Sequence, residues 1–262
     1  MLISPKRFFK KELKMHQNKE KHIIELLKEK KYITVSELSK TLEISASTIR
    51  RELTQLEKKG LVNRSHGGVK LSASNNFTPN FSLRIHQNVL EKKIIDLKAI
   101  KLIKDGDVIF LDSSTSAYFM AEYLSEFSNL TVITNGIDTL SLLAHKNVTA
   151  YSTGGCVSKD NSSSLVGEQA LDFIRNIRAN ICFFSCQALS KDGKIYDCYL
   201  QENYVRKQMI KNSDKTVFLC DRNKIDKVSS YYLCDINDVD TIITDKDVTG
   251  FFEKEVSTEI IF

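Results

Sequence analysis

Apolar positions in the first 70 residues fall at helical intervals in three short runs. Ile23, Ile24, Leu26 and Leu27 mark one side of a helix over residues 18–30, with lysines elsewhere. Tyr32-Ile33-Thr34 is a short β-prone link. Val35, Leu38 and Leu42, spaced at three and four residues, predict a second helix over Val35–Glu43. After a break at Ile44-Ser45, the i, i+4, i+7 spacing of Ile49, Leu53 and Leu56 predicts a third helix over Ala46–Lys59. Ser45 can N-cap it and Gly60 stops it. Leu61–Arg64 and Val69–Leu71, joined by Ser65-His66-Gly67-Gly68, read as a hairpin turning on the glycine pair.

A small, polar segment follows at 72–82 (SASNNFTPNFS) and holds one of the chain's two prolines, which marks a linker. A helical pattern returns over 83–104 and breaks at Lys104-Asp105-Gly106-Asp107. Beyond it, strand-like runs at Val108–Leu111, Leu130–Thr134, Val148–Tyr151, Ile181–Ser185, Thr216–Cys220 and Thr241–Thr244 alternate with helical intervals near 115–127, 137–145, 167–177 and 200–212. This alternation predicts an α/β domain with a mostly parallel sheet covered on both faces. No internal repeat is visible. The expected division is 15–72 for an N-terminal winged helix-turn-helix, 73–90 for linker and start of the connecting helix, and 91–262 for the α/β domain.

Charge sharpens this division. Residues 1–72 hold 17 of the 38 Lys+Arg and 8 of the 33 Asp+Glu, a balance of +9, while the remaining residues stand at −4. A basic head on a slightly acidic body is the footprint of a nucleic-acid-binding module, although a charge run alone reads equally as a solvated face. With 42% apolar residues the chain can bury a core, and no apolar run approaches the roughly 18 residues of a membrane span. The opening MLISPKRFFKKELK lacks the apolar stretch of a secretory signal, so the expected location is the cytoplasm. Codons for Lys11-Glu12 can spell AAGGA, which resembles a ribosome-binding site just ahead of Met15, so Met15 is the expected initiator. The six cysteines (156, 182, 186, 198, 220 and 234) form no CxxC pair, and the five histidines have no ligand spacing. Nothing calls for a metal or a cofactor.

Three short helices and a hairpin make a winged helix-turn-helix, which needs a third helix packed on its inner side and free to enter the major groove on its outer side. With Ile49, Leu53 and Leu56 inward, Ser45, Ser47, Thr48, Arg50 and Arg51 face outward. Arginine forks match guanine edges or phosphates, and short hydroxyls bond either. On the wing, Arg64, His66 and Lys70 suit phosphate or minor-groove contacts. The run Ser47-Thr48-Ile49-Arg50-Arg51-Glu52-Leu53, then Leu56-Glu57, Gly60-Leu61 and His66-Gly67-Gly68, closely resembles the DeoR family of bacterial repressors. One departure is Glu43, where that family usually has glycine. The resemblance runs on from Glu91-Lys92 to Thr244-Asp245 and implies a sensor domain similar in fold to ribose-phosphate isomerase that binds a phosphorylated sugar or related metabolite.

The first strand of the α/β domain ends in Asp112-Ser113-Ser114-Thr115-Ser116 and runs into a helix. Such a loop reads equally as an anion site at a sheet's carboxyl edge or as plain N-capping by serine. The resemblance places the effector's phosphate at Ser113–Ser116, although the family often has glycine where this chain reads Ser-Ser-Thr-Ser. Thr134-Asn135-Gly136 and Thr153-Gly154-Gly155 follow the next two strands and read as ligand-lining loops or as ordinary turns. Glu202 matches an acidic family position, and Asp221 and Lys224 match its Asp-x-x-Lys. The strand Ile181–Gln187 offers no acid for isomerisation, Asn180 stands where the family has aspartate, and Cys186 has no histidine near it in sequence. The expectation is therefore a regulator and not an enzyme. Its expected partners are a duplex DNA operator, a phosphorylated sugar, and itself as dimer or tetramer, with no membrane. The alternatives are an activator built from the same parts, or a sugar-phosphate isomerase-like enzyme that carries a helix-turn-helix.

Overall fold

A computed structural model of the chain describes residues 22–27, 29–58, 62–65, 68–71 and 81–262. The expected Met15 start, the Lys59-Gly60 helix stop, Leu61, the His66-Gly67 tip and linker residues 72–80 lie outside the described residues. The chain divides into two compact units, Met1–Pro79 and Asn80–Phe262.

In the first unit, residues 22–27 and 29–30 are helical (α1). Next come β1 (Tyr32–Thr34), α2 (Val35–Leu42), α3 (Ala46–Lys58), β2 (Val62–Ser65) and β3 (Gly68–Leu71). Thr34 caps α2 in a capping box: its hydroxyl accepts from Glu37 N–H at 3.2 Å, and the Glu37 carboxylate accepts from Thr34 N–H at 2.9 Å. Ile23, Leu27, Leu38, Ile49, Leu53 and Leu56 are buried, so one stripe from each helix forms the core. The Tyr32–Thr34 link is a strand as well: β3 lies between β1 and β2, antiparallel to both, and Ile33 pairs with Val69. The wing is thus a three-stranded sheet tied into the helical core through Ile33, Val62 and Val69, all buried.

The second unit is built on a seven-stranded sheet in the order β15-β14-β12-β9-β4-β5-β6. Its strands are β4 (Val108–Leu111), β5 (Thr131–Thr134), β6 (Thr149–Ser152), β9 (Ala179–Phe184), β12 (Ser213–Cys220), β14 (Thr241–Thr244) and β15 (Glu259–Ile261). Every neighbouring pair is parallel. Alternate residues serve opposite faces: Ile109 and Leu111 join one apolar cluster, while Phe110 joins the other. One face is covered by α5 (Val89–Ala99) and α6 (Thr115–Met120), the other by α8 (Glu168–Arg175) and α9 (Leu200–Lys211). Strand order runs outward from β4 through β5 and β6 on one side and from β9 through β12, β14 and β15 on the other. The order reverses between β4 and β9, and in sheets of this type ligands bind in the crevice outside the carboxyl ends at that point.

The structure differs from the sequence reading at several joints. Phe81 and Ser82, expected in the linker, belong to a short helix α4 (Phe81–Arg84) because Phe81 is buried edge-on against Tyr118, ring centroids 5.6 Å apart. The expected helix over 83–104 is interrupted at Asn88, whose left-handed backbone (φ 53) starts α5 afresh. The helix expected over 115–127 ends at Met120 and leaves only a 3-10 turn at Leu124–Glu126. A small antiparallel sheet of β10 (Ala188–Leu189), β11 (Lys194–Asp197) and β13 (Tyr231–Asp235), and a hairpin of β7 (Cys156–Val157) and β8 (Leu165–Val166), carried no visible period. Among the described residues no helix is long and apolar enough to cross a membrane.

Candidate functional site

The first unit presents one face of α3. Ser45 caps it, its hydroxyl accepting from Thr48 N–H at 3.3 Å and lying 3.0 Å from the Ser47 hydroxyl and 2.9 Å from that of Thr48. Ser45, Ser47, Arg50 and Arg51 are exposed, Thr48 is half-buried, and the first turn carries no acidic residue. Its free N–H groups therefore meet an anion without a competing carboxylate. On the wing, Lys70 is exposed, whereas Arg64 reaches back to donate to the Thr54 hydroxyl at 3.1 Å and lies 3.8 Å from Glu57. Arg64 thus holds the wing to α3 as well as adding charge beside it. His66 lies outside the described residues.

In the second unit, the carboxyl ends of β4, β9 and β12 carry two groups of charge. The first surrounds Arg206 of α9, which is buried. Its Nε donates to Asp112 Oδ2 at 2.7 Å and its Nη2 to Glu202 Oε2 at 3.0 Å, while Nη1 lies 3.2 Å from both Asp197 Oδ2 and Asn203 Oδ1. Asp112 also accepts from the backbone N–H groups of Ser114 and Ser185, which fixes the loop after β4 against the end of β9. Glu202 accepts from Ser113 at 3.3 Å and from Asn161 at 2.9 Å, so both its oxygens are engaged. Burial pushes its carboxyl up, against the pull of Arg206. Asn135 donates towards Ser113, Ser164 and the Leu165 carbonyl, leaving its buried Oδ1 without a hydrogen bond.

The second group is cationic. Lys92 of α5 is only 3% exposed and donates to the carbonyls of Arg84 and Gln87, each at 2.7 Å. Its ammonium also lies 5.8 Å from the centre of the Phe119 ring on α6. Burial, and then the nearby Lys224, push Lys92 down to about 7. Lys224 donates to the Ser185 hydroxyl and lies 3.7 Å from Asp221 Oδ2. Asp221 is buried; Oδ1 accepts from Asn88, and Oδ2 makes no hydrogen bond. Asp96, one turn after Lys92, is fully buried with both oxygens unbonded, and burial pushes its carboxyl well above the usual range. The Ser116 hydroxyl, three residues before Phe119 on α6, is buried and unbonded too. Ser185 joins the two groups, contacting Asp112 through its N–H and Lys224 through its hydroxyl.

The expected effector residues fall into three sets. Asp112–Ser116, Asn135, Glu202, Asp221 and Lys224 line or support the β4–β9–β12 crevice. Ser114 is the N-cap of α6, accepting from Ala117 N–H at 3.1 Å, and Thr134 accepts from Gly136 N–H at 2.9 Å, so both hydroxyls hold backbone in place. Gly154 and Gly155 lie on the loop after β6. A side chain at Gly155 would collide with the Val166 carbonyl 2.4 Å away, so this glycine serves packing against β8. Asn180 receives the Val108 N–H at 2.8 Å, making it a link between strands β9 and β4. Cys186 is buried, and burial holds its thiol far above the ordinary range, which leaves it protonated. Sequence reasoning missed Arg206, Asp197 and Lys92. The only local signal was the i, i+4 spacing of Glu202 with Arg206 and of Lys92 with Asp96, a pattern shared by many exposed helix pairs.

Both units of the chain match known protein families. Residues 19–75 match the DeoR-like helix-turn-helix domain, and residues 87–246 the DeoR C terminal sensor domain. The HTH-type transcriptional regulator GolR of Listeria innocua is 36% identical over 91% of this chain and 93% of its own length. The L-fucose operon activator of Haemophilus influenzae is 31% identical, covering 84% of this chain and 88% of its own. The glycerol-3-phosphate regulon repressor of Escherichia coli is 29% identical, covering 85% and 88%. Among solved structures, ribose 5-phosphate isomerase A of Methanocaldococcus jannaschii matches with a TM-score of 0.41 at 18% identity, covering 54% of this chain and 57% of that one. The eIF2B delta subunit of Chaetomium thermophilum matches with a TM-score of 0.45 at 15% identity, covering 63% and 59%. The winged helix-turn-helix and the sensor sheet are thus matched in order along the chain, and the protein belongs to the DeoR family of transcription regulators.

Proposed function

We propose that the protein is a repressor of a carbohydrate-metabolism operon, released from its operator when a phosphorylated sugar or related metabolite fills the β4–β9 crevice. The observation that carries this reading is the pair of lysines at the carboxyl edge of the sheet: Lys92, buried, and Lys224, which bonds Ser185 at the end of β9 and lies close enough to push Lys92 down. A phosphate there gains charge-assisted hydrogen bonds, while Ser113, Asn135 and Asn161 beside Glu202 suit sugar hydroxyls. Helix α6 has only six residues, so its dipole adds little and the lysines supply most of the attraction. On the DNA side, Ser45, Ser47, Thr48, Arg50 and Arg51 enter the major groove, and Arg64, His66 and Lys70 flank it. A dimer or tetramer sets two such heads on the half-sites of a roughly palindromic operator.

Swinging the protein from 1:99 to 99:1 between two states takes about 5.5 kcal/mol of differential affinity. A few charge-assisted hydrogen bonds at about 1.5–3 kcal/mol each can supply that, whereas a neutral sugar has fewer such bonds to offer. Asp112, Asp197 and Glu202 are already bonded to Arg206, which disfavours each of the three as a base for turnover. The relative named as a fucose operon activator supports a second reading, activation with the same parts, which the position of the operator relative to the promoter decides.

Lys224→Met in the full chain tests the anion site. DNA binding is expected to stay within twofold of wild type while release by phosphorylated sugars is lost. Release at wild-type metabolite concentrations would refute the site.

A further inference from the structure

We infer that Tyr32 positions the wing for DNA, and that position 68 carries glycine because the Tyr32 ring occupies the space a side chain would need. The inference rests on the wing contacting DNA through Lys70, as proposed above. β3 is the middle strand of the first unit's sheet and β1 one of its partners, with Tyr32 opposite Lys70 and Thr34 opposite Gly68. Side chains alternate across a strand, so Tyr32, Gly68 and Lys70 share the face turned away from the buried Ile33 and Val69. Tyr32 stands diagonal to Gly68, a separation that an aromatic side chain can span.

A Cβ at Gly68 would overlap the Tyr32 hydroxyl oxygen and two of its ring carbons, all nearer than van der Waals contact allows. Gly68 is buried although it lies on the outer face, while Tyr32 stays 44% exposed, as a ring laid over the glycine does. Gly68 pairs with Thr34 on one side and Ser65 on the other. Such an extended backbone does not itself call for glycine, which weakens a strand interior. An aromatic ring packed across a strand glycine restores the contact that the missing side chain leaves out. Gly68 opens β3 at the root of the wing, and its partner Thr34 also N-caps α2. The ring therefore clamps the root of the wing to the strand that leads into the helix-turn-helix, and so sets where the exposed Lys70 projects. A hairpin of two four-residue strands has little stability of its own, so this clamp governs its direction.

Fluorescence anisotropy of the full chain on a genomic fragment that it retains tests the inference, with a urea midpoint measured for every variant. Tyr32→Ala should raise Kd about tenfold and flatten the dependence of log Kd on log salt by about one unit, as the loss of one phosphate contact does. Tyr32→Phe, which keeps the ring, should bind within about twofold of the wild type. Gly68→Ala meets first the far end of the half-exposed Tyr32 side chain, which can swing into solvent, so the variant should fold normally. It should lose about as much affinity as Tyr32→Ala and cost nothing further when the two are combined. Wild-type affinity in Gly68→Ala, or losses that add in the double variant, would overturn the inference. A loss in Tyr32→Ala that tracks a lower urea midpoint and is absent from Gly68→Ala would also overturn it, leaving the ring a role in folding alone. Lys70→Met should flatten the salt dependence by itself. If it does so while Tyr32→Ala and Gly68→Ala bind like the wild type, the role of Tyr32 fails and the wing contact stands. If Lys70→Met binds like the wild type, the wing contact and this inference fail together.

Discussion

Glu43 stands where the chain turns from α2 towards α3, with φ 55 and ψ 36, in the left-handed region that glycine occupies without strain. The turn is closed by Ile44 N–H donating to the Ser39 carbonyl and by the Ser39 hydroxyl donating to the Ile44 carbonyl. A glutamate here carries a backbone penalty of about 1–2 kcal/mol, which glycine removes while losing part of the gain to its freer unfolded chain. Glu43→Gly should therefore stabilise the N-terminal unit by about 0.5–1 kcal/mol, read as a higher urea midpoint; a lower midpoint would show that the Glu43 side chain contributes more than its backbone costs. This site was legible in the sequence, because a helix-turn-helix corner is local. Arg206 was not: its partners Asp112, Asp197, Glu202 and Asn203 are gathered by a strand end, a second sheet and a helix. No spacing rule relates position 206 to position 112. An arginine bonded on every side in a buried setting is costly to break, because each carboxylate left behind stays unpaired.

At the scale of elements, Lys92 joins α4 to α5 and does so with a charge that burial opposes. Its value near 7 lies well below that of an unfolded lysine, so the folded state releases the proton first as pH rises. Below pH 7 the group is charged in both states. Between about 7 and 10 the unfolded chain holds the proton more strongly, so this contribution to stability grows with pH. Relative to Lys92→Met, the wild type should gain about 2 kcal/mol between pH 7 and 9. Denaturant titrations of both proteins across that range check this, and parallel curves would contradict it. The groups facing Lys92 are Lys224, Asp221, Arg84 and Asp96, so Lys224→Met should weaken the effect in the same direction that it relieves repulsion. Helices and main-sheet strands were readable because runs such as Val108–Leu111 and Ile137–His145 keep one period throughout. Strands β7, β8 and β10 have two residues each, too few to show any period, and the break at Asn88 depends on a distant bond to Asp221.

At the scale of the molecule, two units with opposite charge balance share one chain: a basic head whose α3 face is exposed, and a sheet whose crevice collects lysines. The order of the units was readable from the charge asymmetry and the run of elements. The chemistry of the crevice was only half readable: the loop Asp112–Ser116 announced itself by composition, while the lysine that most changes its electrostatics lies 20 residues before it on another helix. Binding of the head to duplex DNA should weaken steeply with salt, since each phosphate neutralised releases condensed counter-ions. The most direct test is fluorescence anisotropy of the full chain on a genomic fragment that it retains and on random duplex of equal length, across salt and with a panel of phosphorylated sugars. The account predicts preference for the retained fragment, a steep loss of affinity with salt, and release by at least one phosphorylated sugar but not by its unphosphorylated form. Equal affinity for both duplexes, unmoved by any phosphorylated sugar, would contradict it.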